Sequence, residues 1–289
     1  MMLFGSTFVF TKIVYKHYQP LSTIFTRLVI SSVLLLLVIR FSPDRQKILK
    51  KDLKYFFALA LFEPFFYFIG ESFALQIVSS TISSVIIATI PVFTPLIAFV
   101  ILKEKISMIN IFGLIVSFLG VFVLVINKDL TLNAPAKGIL LLFLAVASAV
   151  FASVIMKKLS ANYSSLTVIT YMNLIGAAYF LPLFLIFEFN GFIHTPFYFD
   201  SAASMVYLAL FGSSLAFIFY FKAVKAIGIN KSNAFSNTIP VFTVLFSYII
   251  IHEPPTINKL LGMFIVITGV LMSQMKRNRF FNPMKKSTR

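Results

Sequence analysis

The sequence contains no cysteine. A disulfide framework, a thiolate metal site and a cysteine nucleophile are therefore excluded, and redox chemistry is not indicated. Histidine is nearly as scarce: His17, His194 and His252 share no ligand spacing, so no metal site is expected. The motifs HExxH, GxSxG, GxGxxG and GxxxxGK are missing, which leaves both a membrane protease and an ATP-driven pump unsupported. Neither an enzymatic activity nor a cofactor is expected. Long polar stretches are lacking too. The longest, residues 40–52 and 188–201, are too short to bury a core of their own. The start has no basic segment before its apolar run and no small-residue cleavage site near Lys16-His17-Tyr18, so a cleaved signal peptide is not expected.

What remains is apolar. Hydrophobic residues make up 59% of the chain and charged residues 12%, far from the composition of soluble domains. A bilayer-crossing helix needs roughly 20 mostly apolar residues, and such runs follow one another at residues 1–15, 21–39, 53–75, 79–102, 108–126, 138–156, 166–187, 202–221, 232–251 and 257–275. A transmembrane β-barrel would alternate apolar and polar residues, whereas runs such as IFGLIVSFLGVFVLVI are continuous. The fold class is all-α integral membrane, with ten transmembrane helices. The first run is short for a crossing, which calls for local bilayer thinning or for a start upstream of Met1.

The formal net charge is +16, a balance that in a soluble chain would point to nucleic acid. Its placement gives a better account. With the N-terminus inside, 19 of the 25 basic residues fall in cytoplasmic breaks or the basic tail 276–289, while Lys16, Lys128, Lys137 and Lys259 face outward and Lys12 and Arg27 lie within spans. That asymmetry obeys the positive-inside rule and puts both termini in the cytoplasm of an inner or plasma membrane. The lipid bilayer, not nucleic acid, is the expected partner.

The stretch TIPVFT occurs twice, at residues 89–94 and 238–243. Sliding the chain by 149 residues aligns 33 consecutive positions from Thr89, of which 12 are identical, including Glu104 with Glu253, Gly113 with Gly262 and Gly120 with Gly269. The chain therefore divides into a first five-span repeat, 1–126, and a second, 138–275. Five is odd, so the halves are inverted relative to one another, the arrangement in which secondary transporters place a site between repeats. Proline removes a backbone donor and crowds the carbonyl four residues earlier. In hydrocarbon the freed carbonyl must meet protein or a water-filled cavity. Pro91, Pro95 and Pro240 therefore predict kinks where the fourth and ninth spans line a cavity, against the plainer reading that they merely bend packed helices.

The chain resembles the drug/metabolite transporter superfamily and, within it, the EamA-type ten-span permeases. The resemblance is carried by Phe4-Gly5-Ser6-Thr7-Phe8, by Arg27 before a leucine-rich second span, by Phe73-Ala74-Leu75, and by TIPVFTPLIAFVILKEK and its second copy TIPVFTVLFSYIIIHEP with their following glycines. It implies two inverted five-helix repeats around a central substrate cavity and export or exchange of small metabolites such as amino acids. Two departures stand out: a shorter run before the glycine-serine-threonine element than the family usually has, and Val244 in place of Pro95 in the second copy.

Charged side chains within spans are expensive and mark functional sites by default. Arg27 lies six residues into the second span, roughly 9 Å deep, where it either snorkels outward or faces the cavity to hold a carboxylate. Glu63 and Glu71, eight residues apart with Tyr67 between them, fall about 80° apart on a helix. A carboxyl at that depth is costly to ionise, which suits Glu71 to carry a proton coupled to substrate movement; the alternative is a glutamate neutralised by Arg27. Tyr220 aligns with Glu71 in the second half, and Tyr171, Asn173, Ser213, Asn233 and Asn237 add neutral groups able to touch substrate or to join helices. Gly113, Gly120, Gly262 and Gly269 read as close helix-packing positions. The reading is a secondary active transporter exporting amino acids or related small metabolites by alternating access. The alternatives are an exchanger of phosphorylated or other anionic metabolites, with Lys222 and Lys225 assisting Arg27, and a membrane scaffold or sensor without flux.

Overall fold

In the computed structural model, residues 1–43, 45–93, 108–125 and 134–273 are described, and among them no strand forms. Ten apolar helices follow one another: α1 (Met2–Val14), α2 (Pro20–Arg40), α3 (Lys50–Ile77), α4 (Ser80–Phe93), α5 (Met108–Val125), α6 (Ala136–Ser160), α7 (Ser165–Phe187), α8 (Phe199–Ile227), α9 (Phe235–Ile251) and α10 (Ile257–Ser273). Of these, α2, α3, α6, α7 and α8 are each long and apolar enough to cross a membrane. The others are shorter, and α1, with 13 residues, rises only about 20 Å. Pro95 and the basic tail from Lys276 lie outside the described residues. The stretch 188–201, expected as a polar gap, folds back into a short helix at Phe189–His194.

Local chemistry fixes where the helices begin. Ser79 and Ser164 cap α4 and α7 by accepting from the N–H groups of Ile82 and Thr167 at 3.3 and 3.1 Å, which satisfies donors that the first helical turn leaves free. The start of α2 is capped from a distance. Glu188, just beyond α7, accepts from the N–H groups of Leu21 and Ser22 at 3.1 and 2.6 Å and from the Ser22 hydroxyl at 2.8 Å, placing a carboxylate at a positive helix end.

The helices break at matching places in the two halves. At Pro91 the fourth span turns at Ala88–Thr89 before resuming, and at Pro240 the ninth opens with a 3-10 turn, Phe235–Thr238, before Ile239. The third span is not the continuous helix its apolar pattern predicts. Glu63 departs to φ −136°, ψ 107° before Pro64, because the proline ring disfavours helical geometry in the preceding residue. The helix is widened to π geometry over Leu61–Phe66, and α8 is likewise widened over Leu208–Ala216. Shifted by 149 residues, the first segment falls within the second.

Side chains are distributed for a lipid solvent. Phe112, Phe118, Phe122, Phe264 and Leu271 point outward, as lipid-facing residues do, while Ser31, Ser84, Thr170 and Asn173 are buried. Two large apolar clusters form most of the interior, one around Ile82, Ile86, Leu142 and Val266, the other around Leu28, Phe56, Met156 and Phe180, with a small third one at Val14, Met205 and Leu208. Phe4 and Tyr67 border both large clusters. α5 and α10 meet backbone to backbone. A Cβ on Gly113 would stand 2.3 Å from the Ser273 nitrogen, one on Gly120 3.0 Å from the Gly262 carbonyl oxygen, and one on Gly269 2.3 Å from the Ser117 nitrogen.

Candidate functional site

Between the two large apolar clusters lies a cavity of about 80 Å³, room for several waters or one small solute. Seven of the ten helices line it, α1, α2, α3, α4, α6, α8 and α9, joined by the short helix Ile229–Ala234 that carries Asn233. The discontinuities described above all border it. Glu63 lies at the break in α3, Gly212 in the widened part of α8, Ile87 and Ile90 flank the turn in α4, and Ser236 and Ile239 flank the opening of α9. Irregular backbone is tolerated at membrane depth where it is covered by protein or borders a polar cavity, and this is where the chain has placed it.

Arg27 is 3% exposed and turned inward, so it does not snorkel to the surface. Its Nε donates to Ser213 Oγ at 2.9 Å, and its guanidinium carbon sits 4.3 Å from the centre of the Phe68 ring. These two contacts fix the plane of the guanidinium while its Nη groups make no hydrogen bond among the described residues. Ser213 is held in turn: Asn173 donates to the Ser213 carbonyl at 2.8 Å and to Ser31 Oγ at 2.7 Å, and Ser31 shares a hydrogen bond with Ser214. Gly212 leaves space beside the arginine, since a Cβ there would come within 3.2 Å of Nη2 and 2.7 Å of the Thr7 methyl.

Glu63 and Glu71 complete the charged set. Glu71 Oε1 accepts from the Tyr67 hydroxyl at 3.1 Å, and Glu63 Oε1 is buried without a hydrogen-bond partner. Among the described residues no carboxylate lies within 4 Å of Arg27, the single ion pair being Lys259 with Glu253. Also lining the cavity, the Tyr220 hydroxyl donates to Asn233 Oδ1. Apart from these groups the wall is largely apolar, with Phe4, Phe8, Phe68, Met156 and Phe217, and includes the hydroxyl residues Thr7, Ser153 and Ser236. A guanidinium whose Nη groups make no hydrogen bond among the described residues, two carboxyls and a phenol, within a largely apolar shell, can receive a small solute carrying both an acceptor and a donor.

The candidates taken from the sequence separate here. Arg27, Glu63, Tyr67, Glu71, Tyr220 and Asn233 line the cavity; Ser213 and Asn173 stand behind it and orient Arg27. Tyr171 lies elsewhere, edge-on to Phe56 at 6.1 Å in a second groove. Asn237 is buried with both amide atoms lacking partners and does not line the cavity. Thr7, Phe68, Ser153 and Met156 contribute walls that no charge signalled. The break at Pro64 is not among the kinks expected from the sequence, although a Glu-Pro pair within an apolar run carries its signal.

Comparison with known proteins agrees with this architecture. A solved crystal structure superposes with a TM-score of 0.68 over 93% of this chain and 92% of its own, at 16% identity, and so shares the fold. An uncharacterized transporter of Bacillus subtilis (strain 168), YetK, is 26% identical over 96% of this chain and 86% of its own. One from Archaeoglobus fulgidus is 24% identical over 94% and 95%. A probable terminal-alkyne amino-acid exporter of Streptantibioticus cattleyicolor is 29% identical over 66% of this chain and 62% of its own. The sequence model of the EamA-like transporter family matches residues 1–126 and 136–275, nearly the whole chain, and the protein belongs to that family of membrane transporters.

Proposed function

We propose that this protein is a secondary active transporter that exports amino acids or closely related zwitterions by alternating access, with both termini in the cytoplasm. The observation that carries the reading is the buried Arg27, without a carboxylate within 4 Å among the described residues, in one small cavity with Glu63 and Glu71. A substrate carboxylate meets the free edge of the guanidinium by charge-assisted hydrogen bonds, and its ammonium meets Glu71 and Tyr67. A dianionic substrate suits the cavity less, because two carboxyls accompany the one arginine, and Lys222 and Lys225 are not among its lining residues.

The halves 1–126 and 138–275 act as inverted repeats in this reading, supported by the matched breaks in α3 and α8 and in the fourth and ninth spans. The positive-inside orientation puts Phe4, Met156, Tyr220 and Asn233 of the cavity wall toward the cytoplasm. At the other end Glu188 grips Ser22, His17 Nδ1 hydrogen-bonds Ser201 Oγ at 2.8 Å, and the His17 ring stacks on Tyr198 at 3.5 Å. That pattern fits an inward-facing state closed on the outside. Glu71 carries the coupled proton. The test is counterflow in proteoliposomes loaded with mixed amino acids, with and without a pH gradient. Entry of a subset of labelled amino acids, abolished in Arg27→Ala and made insensitive to the gradient in Glu71→Gln, is expected. No entry above protein-free vesicles for any amino acid would overturn the proposal.

A further inference from the structure

A second concavity, of about 720 Å³, lies at the end of the bundle opposite Glu188, between α3, α7 and the strap that joins α2 to α3. The strap is fastened to the α6–α7 turn rather than hanging free. Gln46 donates to the Asn162 carbonyl at 3.3 Å and accepts from the Ser164 N–H at 2.6 Å. Tyr163 accepts from the Leu49 N–H at 3.1 Å and donates to Asp52 at 2.8 Å. On either side of the Gln46 anchor, Arg45 and Lys47 stand exposed at the mouth of the groove, and among the described residues neither has an ion-pair partner. The groove itself is apolar and aromatic. Leu53 and Phe57 form its exposed flank, and Tyr171 and Ile175 form its inner wall.

The dimensions match one leaflet. From Ser165 at the head of α7 to Ile175 the helix rises about 15 Å at 1.5 Å per residue, half of the ~30 Å hydrocarbon thickness. Two cations therefore sit at headgroup level above an apolar channel one acyl chain deep. Tyr171 lies roughly 9 Å down, and its hydroxyl makes no hydrogen bond among the described residues, leaving it available to an ester carbonyl.

We infer that this groove is a binding site for one anionic phospholipid, its phosphate held by Arg45 and Lys47 and an acyl chain laid along Phe57 and Ile175. A positive-inside charge bias by itself would attract anionic lipid diffusely to every basic break at that end. The structure differs from that expectation by anchoring two of the cations on either side of Gln46, over the groove.

The chain contains no tryptophan, so Phe57→Trp supplies a single fluorescent reporter on the flank of the groove. The F57W protein is reconstituted in phosphatidylcholine vesicles containing equal small fractions of brominated phosphatidylglycerol or brominated phosphatidylcholine. Quenching by the anionic lipid should show a preference of roughly fivefold or more, the scale of one basic contact at a charged membrane surface. The preference should collapse toward unity in F57W with Arg45→Gln and Lys47→Gln, and persist in F57W with Lys157→Gln and Lys222→Gln, which removes as many basic charges from other breaks. Equal quenching by both lipids would overturn the site. So would a preference unchanged by R45Q/K47Q, or one lost equally in K157Q/K222Q, since either places the selectivity in the general charge belt.

Discussion

Replacing Arg27 with methionine separates a binding arginine from a structural one. The substitution keeps an unbranched side chain of similar length and removes the charge. It forfeits the Nε hydrogen bond to Ser213 at 2.9 Å, worth about 1.5–3 kcal/mol for a charged donor, and the stacking over Phe68, worth about 0.5–2 kcal/mol. Against this it relieves the cost of holding a guanidinium at membrane depth, about 2.5–3.5 kcal/mol on insertion scales. The balance lies within about 2.5 kcal/mol of zero, and for a chain of this size the melting temperature in detergent should move by less than about 10 °C in either direction. Transport should behave differently. Truncating one member of a buried charge pair costs about 2–5 kcal/mol, so apparent substrate affinity should fall by roughly 30-fold to several thousand-fold. The assay is counterflow paired with thermal unfolding of the same preparation. A melting temperature lowered by much more than 10 °C would mean that Arg27 holds a carboxylate the structure does not pair with it, and unimpaired counterflow would remove it from the binding site. Either result refutes the reasoning.

Three further outcomes are expected. Gly269→Val should lower the melting temperature by several degrees, because its Cβ would stand 2.3 Å from the Ser117 nitrogen and over-packing costs about 1–3 kcal/mol, whereas Leu119→Ala, on a residue 56% exposed to the lipid side, should change it little. Glu188→Ala removes the acceptor for two N–H groups and a hydroxyl at the head of α2. In this cysteine-free chain, labelling of Ser153→Cys in the cavity by an impermeant maleimide added outside should then rise severalfold, and unchanged labelling would argue against a closure at Glu188. Tyr163→Phe leaves the Leu49 N–H and Asp52 without their shared partner, a loss of about 1–3 kcal/mol that should appear as a lower melting temperature with counterflow retained.

The sequence by itself determined the solvent, the number of apolar helices and the residues that could carry charge into the bilayer. Those follow from composition and from run length, which depend on no contact between distant residues: a run of about 20 apolar residues is a span whatever packs against it. Glycines spaced seven apart could likewise be read as a packing face, because the spacing lies within one helix. The division of labour among the polar candidates was decided only by tertiary structure. Tyr171 and Asn173 lie two residues apart on α7, yet one faces the groove beneath the strap and the other reaches Ser31 and Ser213, because a helix turns about 200° in two residues and nothing local says which face meets which neighbour. That Arg27 ends on Phe68 and Ser213 rather than on a glutamate depends on how α2 packs between α3 and α8. The cavity itself exists only where the breaks of several separate helices converge.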